Sequence, residues 1–169
     1  HSFPFISYFD CVKGFIMFAA DSKHVVVGFG ITGLSIVKAL HKLGVSHIAA
    51  MDSRDNPPNA LEISEFGHAL HTGSFQTPLL EECDYLWVSP GIAIATPELQ
   101  ETIARLPKEN VGGDIELFAR LVQSNIVAIT GTNGKTTTTS LAAHILKRAG
   151  FKAAAVGNIG DVCLDAVAA

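Results

Sequence analysis

Two short glycine-bearing stretches hold the residues whose types and spacing could do chemistry. The stronger is Gly131-Thr132-Asn133-Gly134-Lys135-Thr136-Thr137, which follows the apolar run Asn125-Ile-Val-Ala-Ile-Thr130. Gly131 and Gly134 free the backbone to curl around phosphate oxygens, and Lys135 brings a point charge toward the terminal phosphates. The Thr136 hydroxyl is placed for Mg2+, and Thr137 offers an N–H and a hydroxyl at the start of a helix. The common spacing Gly-x-x-x-x-Gly-Lys-Ser/Thr is not met, because Ile129 stands where the early glycine would be. A shortened nucleotide-phosphate loop is therefore expected. Thr138 and Thr139 are poor helix formers past the first turn and are expected to pack, with no ligand role.

The other stretch is Gly28-Phe29-Gly30-Ile31-Thr32-Gly33. It leaves a β-branched run and enters a helical pattern, the setting in which Gly-x-Gly-x-x-Gly has meaning: a tight turn, a close backbone approach, and helix-start amides for a diphosphate. Asp52 follows at roughly the spacing of an acid that binds a ribose hydroxyl. The alternatives are a tight turn without ligand, and an Asp52 that only caps the next loop.

The elements that must position these loops alternate. His24–Val27 reads as a strand, 32–43 as a helix with apolar residues at helical spacing, and 47–51 as a strand ending at Asp52. Asp55-Asn-Pro-Pro-Asn59 is a loop. Residues 69–71 suggest a weak strand, 79–83 a short helix, and Tyr85–Val88 a strand closed by Ser89-Pro90-Gly91. Thr96-Pro97 opens a helix, and Asp114 is expected to cap another over 115–122. Strand 125–130, helix 135–149, strand 152–156 and a last partial helix follow. Such alternation implies an α/β fold with parallel strands: a Rossmann-like unit over 17–113, then an incomplete phosphate-loop unit over 114–169.

Composition narrows the class. A chain of 169 residues with 48% hydrophobic content can build one domain and part of another. The net charge of −4 offers no basic field for nucleic acid. Cys11, Cys83 and Cys163 form no Cys-x-x-Cys pair, which suits a reducing cytoplasm and neither disulfides nor zinc. Residues 1–16 are apolar but broken by Asp10 and Lys13, too short to insert in a membrane. They read as an extension ahead of a start at Met17, or as a peripheral helix or strand.

In order along the chain, VVVGFGITGLS, MDSRDNPP, HTGS, SPGIA, GDIELFAR, IVAITGTNGKTTTT and GNIG are present. Together they resemble the Mur ligases, relatives of the folylpolyglutamate synthetases, and within that family the branch with a glycine loop near its start. The resemblance runs from about Met17 to the end. It implies a cytoplasmic, monomeric, ADP-forming ligase of peptidoglycan synthesis that needs ATP and Mg2+. Its substrates would be UDP-N-acetylmuramoyl-L-alanine and D-glutamate, joined through an acyl phosphate. Gly131, Thr132, Asn133, Gly134, Lys135, Thr136 and Thr137 would bind ATP, with Lys135 and Thr136 catalytic and Thr136 on the metal. Gly30, Ile31 and Thr32 would meet the UDP moiety, and Asp52, Ser53 and Arg54 its uracil end. Ser89 and Gly91 would line the same cleft, and Asn158 would reach the sugar diphosphate.

His71 is expected as a packed or loop residue, and Asp114 and Glu116 as helix-start groups. The family pattern continues past Ala169, so the chain is expected to be a portion without ligase activity of its own. Rival readings are an NAD-binding Rossmann dehydrogenase, a small phosphate-loop kinase or NTPase, and a non-catalytic nucleotide-binding module.

Overall fold

The computed structural model describes residues 18–75, 77–157 and 162–168. Five parallel strands form one sheet in the order β3-β2-β1-β4-β5. They are β1 (Lys23–Val27), β2 (His47–Asp52), β3 (Ala69–Thr72), β4 (Tyr85–Val88) and β5 (Val111–Gly112). The helices are α1 (Ile31–Lys42), α2 (Ala60–Glu65), α3 (Thr77–Glu82), α4 (Pro97–Arg105), α5 (Asp114–Leu121), α6 (Lys135–Arg148) and α7 (Cys163–Ala168).

Strand periodicity divides the core between the two faces. Val26, Ile48, Ala50 and Trp87 join Leu34, Ile36, Val37 and Leu40 of α1, Ile63 of α2 and Leu117 and Leu121 of α5. Val25, Val27, Met51, Leu86 and Val88 join Leu80 of α3 and Leu99 of α4. Both faces are covered, as a parallel sheet requires. Helix α1 ends where Gly44, at φ +81°, lets the Gly44 and Val45 amides turn back to the His41 and Leu40 carbonyls.

At the start of the sheet, β1 buries a histidine. The Trp87 indole can only donate, and it donates to His24 Nδ1 at 3.1 Å. The proton of His24 therefore sits on Nε2, which donates to Ser22 Oγ at 2.9 Å, while that hydroxyl donates to Ala19 O at 2.7 Å. Tyr85 stacks on the imidazole at 4.6 Å and Phe18 meets it edge-on at 4.7 Å. Arg120 lies 5.4 Å over the Trp87 ring and donates to the Glu109 carbonyl, which ties α5 to this cluster. Packing thus joins α5 to the first unit, although its sequence is read with the second.

Several expectations are corrected. Residues 125–130 carry strand-like residue types yet form no strand, because no neighbouring strand among the described residues offers them a ladder. Ile126 and Val127 are exposed as a result. Residues 152–156 contribute only an isolated bridge at Val156. Thr96 precedes α4, but its hydroxyl makes no capping bond and is buried without a partner. Asp114 is the first residue of α5, not its cap. Gly113 takes that place, and its N–H donates to Glu116 Oε2 at 2.7 Å. Thr138 is exposed, so it does not pack, and the Thr139 hydroxyl turns back to Lys135 O at 2.8 Å. The expectations for residues 1–16 and for Asn158 lie outside the described residues.

Candidate functional site

The C-terminal ends of three adjacent strands, β2, β1 and β4, bring the first glycine loop together with residues 52–54 and 89–91. In open parallel α/β sheets the crevice outside the carboxyl ends of the strands is the usual place for a ligand. Backbone bonds stitch the three ends: the Gly28 amide donates to Met51 O at 2.8 Å, and the Ser89 amide to Val27 O at 2.9 Å. Gly28 turns at φ +89°, a conformation that suits glycine. Gly33 is required for a different reason. A Cβ there would stand 2.0 Å from the Gly28 carbonyl oxygen, so only hydrogen lets α1 start this close to the turn. Gly30 then precedes α1 in extended backbone, Ile31 is exposed, and Thr32 lies in the first turn.

Asp52 is fully buried at the end of β2. Its Oδ2 accepts from the Phe29 amide at 2.7 Å and from Arg54 Nη2 at 2.6 Å. Its Oδ1 accepts from the Arg54 amide and from Arg54 Nε, both at 2.9 Å. The Arg54 side-chain bond is the main reason its carboxyl is held down to about 2. Burial works against it, and the Arg54 and Phe29 amides reinforce it. The Arg54 guanidinium itself is half exposed. On the other flank Ser89 is buried, and its hydroxyl donates to Gly28 O at 2.7 Å. Ser53 and Gly91 are exposed at the rim.

Two supports of this site escape a reading of the sequence. The Gly73 amide, in the HTGS turn after β3, donates to Arg54 O at 3.4 Å. A Cβ on Gly73 would come within 2.9 Å of Asp55 Oδ1. Ile92 packs where a Cβ of Gly28 would be. A glycine in each turn is the only signal, and it does not name the partner. His71 is half-buried in β3, beside Met51 in the parallel register.

The second loop is open to solvent from Gly131 to Thr138. Gly134, at φ +78°, sets the start of α6, and Lys135, Thr136 and Thr137 form its first turn. Lys135 Nζ donates to the carbonyls of Gly131 and Thr132, at 2.5 and 3.3 Å. The ammonium is thus folded over its own loop, with carbonyls as its partners where an anion would be a stronger one. The Thr136 and Thr137 side chains are exposed at the helix start. A triphosphate fits this set of a charged amine, two hydroxyls and first-turn amides without helical partners, and the Thr136 hydroxyl oxygen is the group that could face a divalent cation. Among the described residues no cluster of three or more His, Cys, Asp or Glu could hold a metal alone, and no helix is long and apolar enough to cross a membrane.

Comparison with known proteins gives two family matches, each containing one of the two glycine loops. Residues 22–108 match the Mur ligase MurD-like N-terminal domain, and residues 129–166 the Mur ligase middle domain. The chain is 47% identical over 142 residues to a UDP-N-acetylmuramoylalanine--D-glutamate ligase of Vibrio parahaemolyticus, covering 83% of this chain and 32% of that one. A protein of the same name from Pseudomonas fluorescens is 41% identical over 151 residues, covering 88% and 33%. Among solved structures, a pseudomurein peptide ligase type C from Methanothermus fervidus superposes with a TM-score of 0.50 at 26% identity, covering 82% of this chain and 29% of that one. The chain spans about a third of the length of the curated relatives it matches.

Proposed function

The chain belongs to the Mur ligase family, and from that premise we propose that it forms the nucleotide-binding part of an ATP-dependent ligase. The reaction joins D-glutamate to UDP-N-acetylmuramoyl-L-alanine in peptidoglycan precursor synthesis. A carboxylate oxygen of the UDP-linked acid bonds to the γ-phosphorus as the bond to ADP breaks. The D-glutamate amine then bonds to the acyl carbon as phosphate leaves. The enzyme acts in the cytoplasm as a monomer, without nucleic acid.

The observation that carries this reading is one chain with two unlike phosphate cradles, one at a sheet edge and one at the start of a long helix. In the first, residues 30–32 offer amides and the Thr32 hydroxyl to the UDP diphosphate, and Ser53, Arg54 and Gly91 edge the cleft. Asp52 and Ser89 lie in its floor, and Asn158 belongs to the same ligand. In the second, residues 131–137 hold the phosphates of ATP. Lys135 neutralises charge at the terminal phosphate, where repulsion between two anions would otherwise oppose attack. Bound through the Thr136 hydroxyl, Mg2+ supplies further charge neutralisation. The two tasks fall to separate segments, with helix α5 between the two loops packed on the first sheet.

Replacing Lys135 with methionine tests the second cradle. The side chain is exposed and bonds only its own loop, so the thermal midpoint should not move. Loss of a charge-assisted contact should weaken Mg-ATP binding by about tenfold to a hundredfold, with UDP affinity unchanged. Calorimetric titration of both nucleotides into both proteins reads this directly. Equal ATP affinity in the variant would contradict the assignment.

A further inference from the structure

We propose that Asp52 and Ser89 are positioning residues that hold the glycine turn from its two flanks, and that the Asp52 carboxylate does not touch the nucleotide. This rests on the UDP reading above and refines it. An ionised carboxylate offers about four acceptor positions. Asp52 has four N–H donors on it, from the Phe29 amide and from the Arg54 amide, Nε and Nη2. No lone pair is left for a uracil N–H or a ribose hydroxyl, and the carboxylate has no exposed surface to reach one. Ser89 spends its one hydroxyl proton on Gly28 O, from a buried position.

What the two residues hold is the same turn. Asp52 fixes the Phe29 amide from β2, and Ser89 fixes the Gly28 carbonyl from β4. That carbonyl is also the atom that a Cβ on Gly33, at the start of α1, would meet first. The path from Gly28 to Gly33 is thereby set, and with it the direction of the free first-turn amides that would bind a diphosphate. Of the residues at the end of β2, this leaves the half-exposed Arg54 and the exposed Ser53 to face the nucleoside.

A positioning role and a contact role differ in how they change discrimination. Asp52→Asn puts an NH2 among N–H donors and so loosens the turn. Ser89→Ala removes one bond of the second flank and covers the case in which Asp52→Asn does not fold. Affinities for UDP, CDP and 2′-deoxy-UDP are measured by calorimetry, well below the thermal midpoint of each protein. The inference expects all three to weaken by one common factor, about tenfold for Asp52→Asn and about fivefold for Ser89→Ala, with the preferences among them unchanged. Phe29 amide hydrogen exchange should quicken in Asp52→Asn. A collapse of the UDP-over-CDP or UDP-over-deoxy preference, or affinities that do not change, would overturn it while leaving the UDP reading intact. Wild-type protein that binds none of the three would overturn both.

Discussion

Gly33→Ala is expected to cost about 3 kcal/mol of stability and to remove UDP binding. The added methyl would lie 2.0 Å from Gly28 O and 3.1 Å from Gly28 C. Both are backbone atoms, and that carbonyl is also fixed by the Ser89 hydroxyl, so it cannot yield by a rotamer change. Either α1 withdraws from the sheet or the turn opens, and both undo the amide cradle. Two neighbouring substitutions give the contrast. Gly28→Ala would meet Ile92 Cγ1 at 2.6 Å, a side chain that can move, but at φ +89° it also strains the backbone. Gly30→Ala meets nothing within 4 Å and needs no left-handed backbone, so it should change stability by less than about 1 kcal/mol. Urea denaturation of the three variants gives the ranking, and a Gly33→Ala no worse than Gly30→Ala would disprove the close approach.

Acid should destabilise the fold through His24. Burial holds this imidazole down to about 4 from its ordinary 6.5; Asp84 raises it somewhat and Arg120 lowers it further. Protonation would also place a hydrogen on Nδ1, directly against the Trp87 N–H. Below pH 6.5 the unfolded chain binds a proton at this residue and the folded chain does not. Stability therefore falls as pH drops from 6.5 toward about 4 and is fully present above 6.5. The interval spans 2.5 pH units at about 1.4 kcal/mol each, an expected loss of about 3 kcal/mol. His68, lowered by burial and by His41, adds a change of the same sign. The His24 share is isolated by comparing wild type with His24→Gln at pH 7 and pH 4.5. The variant is less stable at pH 7 but should lose less on acidification. Equal losses would show that His24 does not carry the effect.

The sequence was most legible where pattern and partner coincide. The run from His24 through Asp52 has two strand periods around one helical period, and the sheet pairs β1 with β2 in that register. Tyr85–Val88 reads as a strand and is one. Residues 125–130 show why residue type alone falls short: a strand exists only through its neighbours, and these residues meet none among those described. Short elements were hidden for the opposite reason. The two-residue β5 is defined wholly by its pairing with Leu86 and Trp87. Helix α2, only six residues long, follows directly on the proline-rich loop.

Within the site, sequence spacing brings Asp52 to notice as a ribose ligand and is silent on its partners inside the protein. Those partners are Arg54, two residues away, and the Phe29 amide across the strand gap. In the sequence His24 reads only as the first residue of a β-branched run. Its role depends on Trp87, 63 residues distant, which no local pattern reveals.

The claim beneath the rest is that two cradles on one chain hold different nucleotides. Amide NMR of the isotope-labelled chain, titrated first with UDP and then with Mg-ATP, tests it residue by residue. UDP should move the amides of Gly30, Ile31 and Thr32 and leave 131–137 in place; Mg-ATP should do the reverse, and NADH should move neither. UDP perturbing 131–137 in preference to 30–32, or NADH saturating the first loop, would contradict the account.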